Sequence, residues 1–437
     1  METLKFDLTK KGRDFKILNA TNGGPWYNRI SVNQLRSNFE DYKAARIPYS
    51  RNHDANYCHV YGGHYSHDIT GIFPDFNADV NDPASYDFAN TDECILTTLE
   101  AGTETFFRLG QSIEHTIKKH GTLPPPDFKK WAEICEHIIR HYNYGWADGF
   151  ELNIKYWEIW NEPDLDAEDS PNKRTWGGTK AEFFDLYEIT AKHLKSCFPE
   201  LKIGGPALAG SESYAADFLQ EMSKRNVPID FFSWHRYCNA PERMISRAEV
   251  IKRLLVENGY TETEAILNEW NYIRDWRQNF IYSIKTIIGI KGAAFTMACI
   301  SEAQKSDAID MLMYYDTRES PFCGVFDYYT FAPLKGYYPL MWYGKFYDMD
   351  AEVRCESTPE NIYTLCGVDK NDKVLCVITN YSDNDNAEAK EVKIDFGKEG
   401  KYEVYMVDSE RNGELLEVTE KLEFTLPLHS LLLIKEI

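Results

Sequence analysis

From about residue 15 to residue 348, short apolar runs alternate with longer stretches in which apolar positions recur every three or four residues. The short runs are Phe15–Asn22, Ile47–Arg51, Glu104–Gly110, Tyr156–Glu162, Lys202–Gly205, Phe231–His235, Ala265–Glu269 and Met311–Tyr315. β-Branched and aromatic residues dominate them, which predicts packed strands. Between them, Phe128, Trp131, Cys135, Ile138 and Tyr142 share one helical face behind Asp127, a suitable N-cap. Phe184, Tyr187, Ala191, Leu194 and Phe198 repeat that spacing, and Pro199 closes the helix. Eight strand–helix units in series predict an α/β fold, a (β/α)8 TIM barrel spanning residues 15–348.

After residue 348 the period changes to two. Ile362–Cys366, Lys373–Tyr381, Val392–Phe396, Tyr402–Val407, Leu422–Leu426 and Leu431–Ile434 read as short strands, with Asn412-Gly413 in a hairpin-like gap. This predicts an accessory β-sandwich domain over 349–437. Leu4, Phe6 and Leu8 alternate in the same way, so residues 1–14 are expected to complete it.

The chain has 437 residues and a formal net charge of −21, so neither nucleic acid nor an anionic membrane is an expected partner. No run approaches the length of a membrane span. The 10 cysteines include no C-x-x-C pair, which points to buried thiols in a reducing compartment rather than zinc or disulfides. The N-terminus shows no apolar leader, so the sequence as it stands reads as cytoplasmic, and as periplasmic or secreted if a signal peptide preceded it. Its 10 Trp and 28 Tyr suit a site that stacks sugar faces, although a large barrel also buries aromatics. The sequence leaves the oligomeric state open.

Lys155-Tyr156-Trp157-Glu158-Ile159-Trp160-Asn161-Glu162-Pro163 is an apolar strand that stops where a carboxylate emerges. Trp157, Trp160 and Pro163 are expected to surround Glu162 with apolar groups and favour its protonated form, the state of a general acid. Ala265-Ile266-Leu267-Asn268-Glu269-Trp270 repeats the plan. Glu162 would close the fourth barrel strand and Glu269 the seventh, both at the face where barrel active sites form. Two such carboxylates suffice to cleave a glycosidic bond, one as acid and base and the other as nucleophile. Arg51 and His53 end the second strand, where a fixed guanidinium would keep Glu269 ionised. His235 and Tyr237 end the sixth, and the phenol is expected to orient the nucleophile. Asn161 is placed to reach a sugar hydroxyl next to the anomeric carbon.

On these residues the chain resembles the retaining glycoside hydrolases of clan A, and within it glycoside hydrolase family thirty-nine, which contains β-xylosidases and α-L-iduronidases. The resemblance runs from Pro125 through the Trp-Glu-Ile-Trp-Asn-Glu-Pro-Asp-Leu motif to Ile203–Ala207, and on through Val227–Tyr237. It implies Glu162 as acid/base and Glu269 as nucleophile, with Asn161, Arg51, His53, His235 and Tyr237 in support and no cofactor. It implies a glycoside or oligosaccharide substrate, cleaved in an exo fashion as by a β-xylosidase. The clan's usual Trp after the eighth strand is replaced here by Met313-Tyr314-Tyr315-Asp316, so Tyr315 or a neighbour must take its place. Trp176, in the long polar loop after Pro163, is expected to swing over the site as a platform.

Three alternatives use the same residues: an endo-acting hydrolase of a β-linked polysaccharide, an iduronidase-like enzyme, and a carbohydrate-binding protein with a dead site. The second needs cations for a sugar carboxylate, and Arg108, Arg236 and Arg274 are the candidates. His53, His59, His64 and His67 crowd one loop, but their spacing is not that of a metal site, and a substrate-lining loop is the preferred reading. Asn22-Gly23-Gly24-Pro25 lacks a phosphate-loop ending and reads as a tight turn that presents Trp26 near the site. Gly204-Gly205-Pro206 reads as a close-packed turn, and the acidic run Asp164–Asp169 as solvated loop.

Overall fold

In a computed structural model, described over residues 1–25, 37–53, 65–319 and 322–437, eight parallel strands close into a barrel. They are β2 (Ile17–Asn22), β3 (Tyr49–Arg51), β4 (Glu104–Leu109), β5 (Tyr156–Ile159), β6 (Lys202–Leu208), β7 (Phe231–Cys238), β8 (Glu264–Tyr272) and β9 (Met311–Tyr314). Helices cover the outside. The helix Phe128–Tyr144 starts where the Asp127 carboxylate accepts the N–H groups of Lys129 (2.9 Å) and Lys130 (3.2 Å). The helix Lys180–Cys197 starts on a capping box between Thr179 and Glu182.

The strand periods differ from the sequence reading at the site itself. β5 stops three residues before Glu162, whereas β7 and β8 run on past His235 and Glu269. Gly204-Gly205-Pro206 lies inside β6 rather than in a turn. Its glycines allow close approach: a Cβ on Gly204 would sit 2.1 Å from the Phe231 carbonyl oxygen, and one on Gly205 2.7 Å from that of Ile159.

A second sheet contains nine strands in the order β15-β14-β17-β12-β11-β10-β1-β13-β16. These are β1 (Glu2–Lys11), β10 (Ala351–Cys355), β11 (Ile362–Val368), β12 (Val374–Asn380), β13 (Lys390–Asp395), β14 (Tyr402–Val407), β15 (Asn412–Thr419), β16 (Glu423–Leu426) and β17 (Ser430–Glu436). It is mixed: β1 pairs parallel with β13 and antiparallel with β10. Leu4, Phe6, Val353, Cys366, Ile378, Val392, Val404 and Ile434 share its inner core, so the sheet curls over one apolar face. β10 and β15 were not foreseen. Asn412-Gly413 opens β15 instead of sitting in a gap, and that strand is largely exposed at the sheet edge, where the polar–apolar alternation that marks a half-buried strand is lost.

The two sheets are joined by the helix Ile290–Lys305, which packs on β2 and β8 and also on β11, β12 and β17. No single described helix is long and apolar enough to cross a membrane. The nine described cysteines are free thiols.

Candidate active site

The first carboxylate reaches the barrel mouth through a kink. Beyond Ile159 the chain takes φ +74° at Trp160 and +49° at Glu162, the left-handed region that side chains other than glycine seldom occupy. Three hydrogen bonds hold it there. Trp160 N–H donates to the Leu109 carbonyl (2.7 Å), Glu162 N–H to that of Ala207 (2.9 Å), and the Thr175 hydroxyl to that of Glu162 (2.6 Å). The kink cancels strand alternation. Trp160 turns outward onto Trp131 and Trp176, and both Asn161 and Glu162 then point inward, to Arg51 and His235.

The second carboxylate is aimed by a bulge. β7 and β8 pair Trp234 with Leu267 and then His235 with Glu269, so Asn268 is an extra residue. A bulge re-aims side chains locally. Here it sends Asn268 down to Glu158 and Glu269 up to Tyr237.

Beneath the mouth lies a closed polar layer. Arg51 Nε donates to Glu158 at 2.6 Å, its Nη2 to Asn161 Oδ1 at 2.6 Å and its Nη1 to Asn22 Oδ1 at 3.1 Å. Glu158 also accepts from the Ser233 hydroxyl at 2.6 Å and from Asn268. Arg51 reaches Glu269 only at 3.5 Å. The guanidinium expected beside the nucleophile is thus engaged first by Glu158. The sequence reading passed over that residue, although a glutamate inside a buried apolar strand requires a partner.

At the mouth, one oxygen each of Glu162 and Glu269 and the Nδ1 of His235 all lie within 4.8 Å of one another. His235 Nδ1 is 2.7 Å from Glu162 Oε1 and 3.5 Å from Glu269 Oε2. Tyr237 donates its hydroxyl to Glu269 Oε1 at 2.6 Å. Burial pushes the Glu269 carboxyl up to about 7, and the nearby Glu162 adds to the rise, against the pull of His235, Arg51 and Tyr237. Burial also lowers His235, opposed in part by Glu269, and favours its neutral form. His235 Nε2 is buried without a hydrogen-bond partner among the described residues. An unused lone pair costs less than an orphaned N–H, so the ring proton belongs on Nδ1, facing Glu162.

The expected surroundings of Glu162 need correction. Trp157 stacks on Phe107 and Trp160 packs at a tilt against Trp131, both outside the barrel, so neither walls the carboxyl. Trp176 is 3% exposed, packs edge-on against Trp160 at 5.2 Å and donates its indole N–H to the Thr179 carbonyl, so it is core rather than platform. Asp164 is likewise not solvated loop. Its carboxylate accepts the N–H groups of Ala209, Gly210 and Ser211 and ties the fourth-strand loop to the fifth. Trp26, His59 and His64 lie outside the described residues, and His67 is buried against Phe107.

A cavity of about 830 Å³ opens over the pair. His53, His235, Tyr237 and Tyr315 line it, and Asn161 does not. Trp276 and Phe322 complete an aromatic wall with Tyr315, and Trp276 meets Tyr237 at 5.0 Å. Neither wall residue was foreseen. Trp276 is 54% exposed, and a lone tryptophan in the polar loop after the seventh strand was the available signal. Of the three arginines considered, Arg108 pairs with Asp68 (2.8 Å), Arg274 pairs with Asp383 (3.0 Å), and Arg236 alone lines the cavity.

Two groups of described residues could gather metal ligands: Glu162, His235 and Glu269, and, on the outer helices, Glu136, His193 and Cys197. In the first, His235 Nδ1 and Glu162 Oε1 already serve each other as hydrogen-bond partners, and Tyr237 occupies one oxygen of Glu269. In the second, Glu136 is also bound by Arg140 at 2.6 Å.

Paired carboxylates at the C-terminal mouth of a closed (β/α)8 barrel, with a neutral imidazole between them, form an arrangement able to donate a proton and attack an electrophilic carbon. The chain belongs to the Glycosyl hydrolases family 39, whose profile matches residues 30–272, more than half of it. It is 27% identical over 234 residues to a β-xylosidase of Geobacillus stearothermophilus, covering 47% of this chain and 44% of that one. It is 29% identical over 234 residues to a β-xylosidase of Caldicellulosiruptor saccharolyticus, covering 47% and 46%. The match thus spans less than half the length of these curated relatives. Among solved structures, a glucosidase from Croceicoccus marinus superposes with a TM-score of 0.80 at 21% identity, covering 100% of this chain and 99% of that one. This last likeness bears on the fold alone.

Proposed function

We propose that the protein is a retaining glycoside hydrolase that removes single sugars, with a β-xyloside as the leading substrate. Glu269 attacks the anomeric carbon as the glycosidic C–O bond breaks, and Glu162 gives its proton to the departing oxygen. Water then attacks the glycosyl ester, Glu162 takes the water's proton, and Glu269 is released. Tyr237 holds the nucleophile and His235 orients the acid.

The observation that carries this reading is the approach of the two carboxylates to within 4.8 Å at the nearest oxygens. Retaining enzymes keep their carboxyls roughly 5–5.5 Å apart, whereas inverting enzymes leave about 6.5–9.5 Å for a water. Single-sugar release is supported by the cavity lining, drawn from the second to the eighth barrel strand and its loops, which rings the site. The β-xyloside reading rests on family membership and on the two β-xylosidase relatives.

A panel of aryl xyloside, glucoside, galactoside, arabinoside and iduronide, with product configuration followed by NMR, tests it. Xyloside turnover with retained configuration, and azide rescue of Glu162→Ala, are expected. Inverted product, or unchanged turnover in Glu269→Ala, sinks the assignment.

A further inference from the structure

The cavity has two unlike flanks. Trp276, Tyr315 and Phe322, from the loops after β8 and β9, form the aromatic one. The other begins at Glu162, crosses the turn Ala209–Ser211 and ends at Arg236. In an in-line displacement the nucleophile approaches opposite the leaving oxygen, and the acid stands beside that oxygen. On the reading above, the flank of Glu162 therefore faces the departing part of the substrate.

The charges on this flank are almost all matched. Asp164 is held by three backbone N–H groups, and Arg174 makes a forked pair with Asp166, at 2.8 Å through Nη2 and 3.1 Å through Nε. Arg247, just behind, pairs with Glu212 at 2.8 Å. The guanidinium of Arg236 has neither an ion pair nor a hydrogen bond among the described residues, and its Nε is buried without a partner. A half-buried guanidinium at the wall of a cavity, in a chain of net charge −21, is an uncompensated cation where its own protein could easily have supplied an anion.

We propose that Arg236 binds a carboxylate on the leaving group, so that the preferred substrates release an acidic sugar or an acid-bearing aglycone. The planar fork of a guanidinium matches the two oxygens of a carboxylate. This differs from attack on a uronic sugar itself, which would place the carboxylate beside the sugar bonded to Glu269. The inference rests on the glycosidase reading for its orientation, but its binding test does not require turnover.

Phenyl and 3-carboxyphenyl 1-thio-β-xylosides, which resist hydrolysis, are titrated by calorimetry into the full chain and into Arg236→Gln and Arg236→Lys. The carboxylate ligand is expected to bind about 10-fold or more tightly than its neutral twin. That ratio should fall to near one in Arg236→Gln and recover in part in Arg236→Lys. Equal affinities in the unaltered chain, or a ratio unmoved by Arg236→Gln, overturn the proposal. The matching O-linked pair, assayed in parallel, reads the other claim: a carboxylate preference in binding with no turnover of either O-glycoside upholds the anion site and removes the β-xyloside reading.

Discussion

Glu158 and Glu269 are buried glutamates one layer apart in the same barrel, and both feel Arg51. Glu158 lies 2.6 Å from the guanidinium, and both of its oxygens accept hydrogen bonds. Glu269 lies 3.5 Å from it, receives one phenol, and has an Oε2 with no hydrogen-bond partner among the described residues. The lower carboxylate has hydrogen-bond donors on both oxygens. The upper one is desolvated and under-served, so burial outweighs its partners and its carboxyl rises to about 7. Incomplete solvation above a buried polar layer leaves an oxygen without a hydrogen-bond partner among the described residues.

Removing the poised carboxylate should cost most. Glu269→Gln is expected to lower kcat/KM on aryl glycosides by on the order of 10⁴–10⁶ with little change in melting temperature. Glu162→Ala should cost roughly 10²–10⁴ on substrates with poor leaving groups and less on activated ones, a graded response that a structural glutamate would not give. The lower carboxylate should respond in the opposite currency. Glu158→Gln leaves a buried guanidinium without its main anion and should destabilise the fold by about 3–5 kcal/mol, measured by urea unfolding.

The smallest effects bear on pH. As the proposed nucleophile, Glu269 would have to be ionised to attack, so kcat/KM should rise as pH increases through about 7. Tyr237→Phe removes a hydrogen bond to the ionised form and should move this limb to higher pH, with a rate loss of about 10-fold. In Glu158→Gln, Arg51 turns its uncompensated charge on Glu269, and the limb should move to lower pH. If both variants move it the same way, the two carboxylates are not balanced across Arg51 as described.

Much of this site was legible because residue type and strand order carry it: two Asn-Glu endings, an arginine after the second strand, a histidine and a tyrosine on the sixth. Orientation was not. The left-handed φ at Trp160 and the extra residue at Asn268 decide which side chains face inward, and neither follows from a period-two pattern. Trp176 was misread for a related reason. It lies in a polar loop, and only the return of that loop over Trp160 shows that its indole is buried. Glu158 was readable in principle, since a charge amid Trp, Tyr and Ile demands a counter-charge.

The parallel neighbour of β1 lies far along the chain. Glu2–Lys11 pairs with Ala351–Cys355 and Lys390–Asp395, so the whole barrel is threaded between one strand of the second sheet and its two neighbours. On a ribosome adding about 5–20 residues per second, β1 emerges tens of seconds before either partner exists. For that interval an alternating strand carrying Leu4 and Phe6 has no sheet to join. An early segment is thus among the last to find its place, and the second sheet is completed across a strand made long before its neighbours.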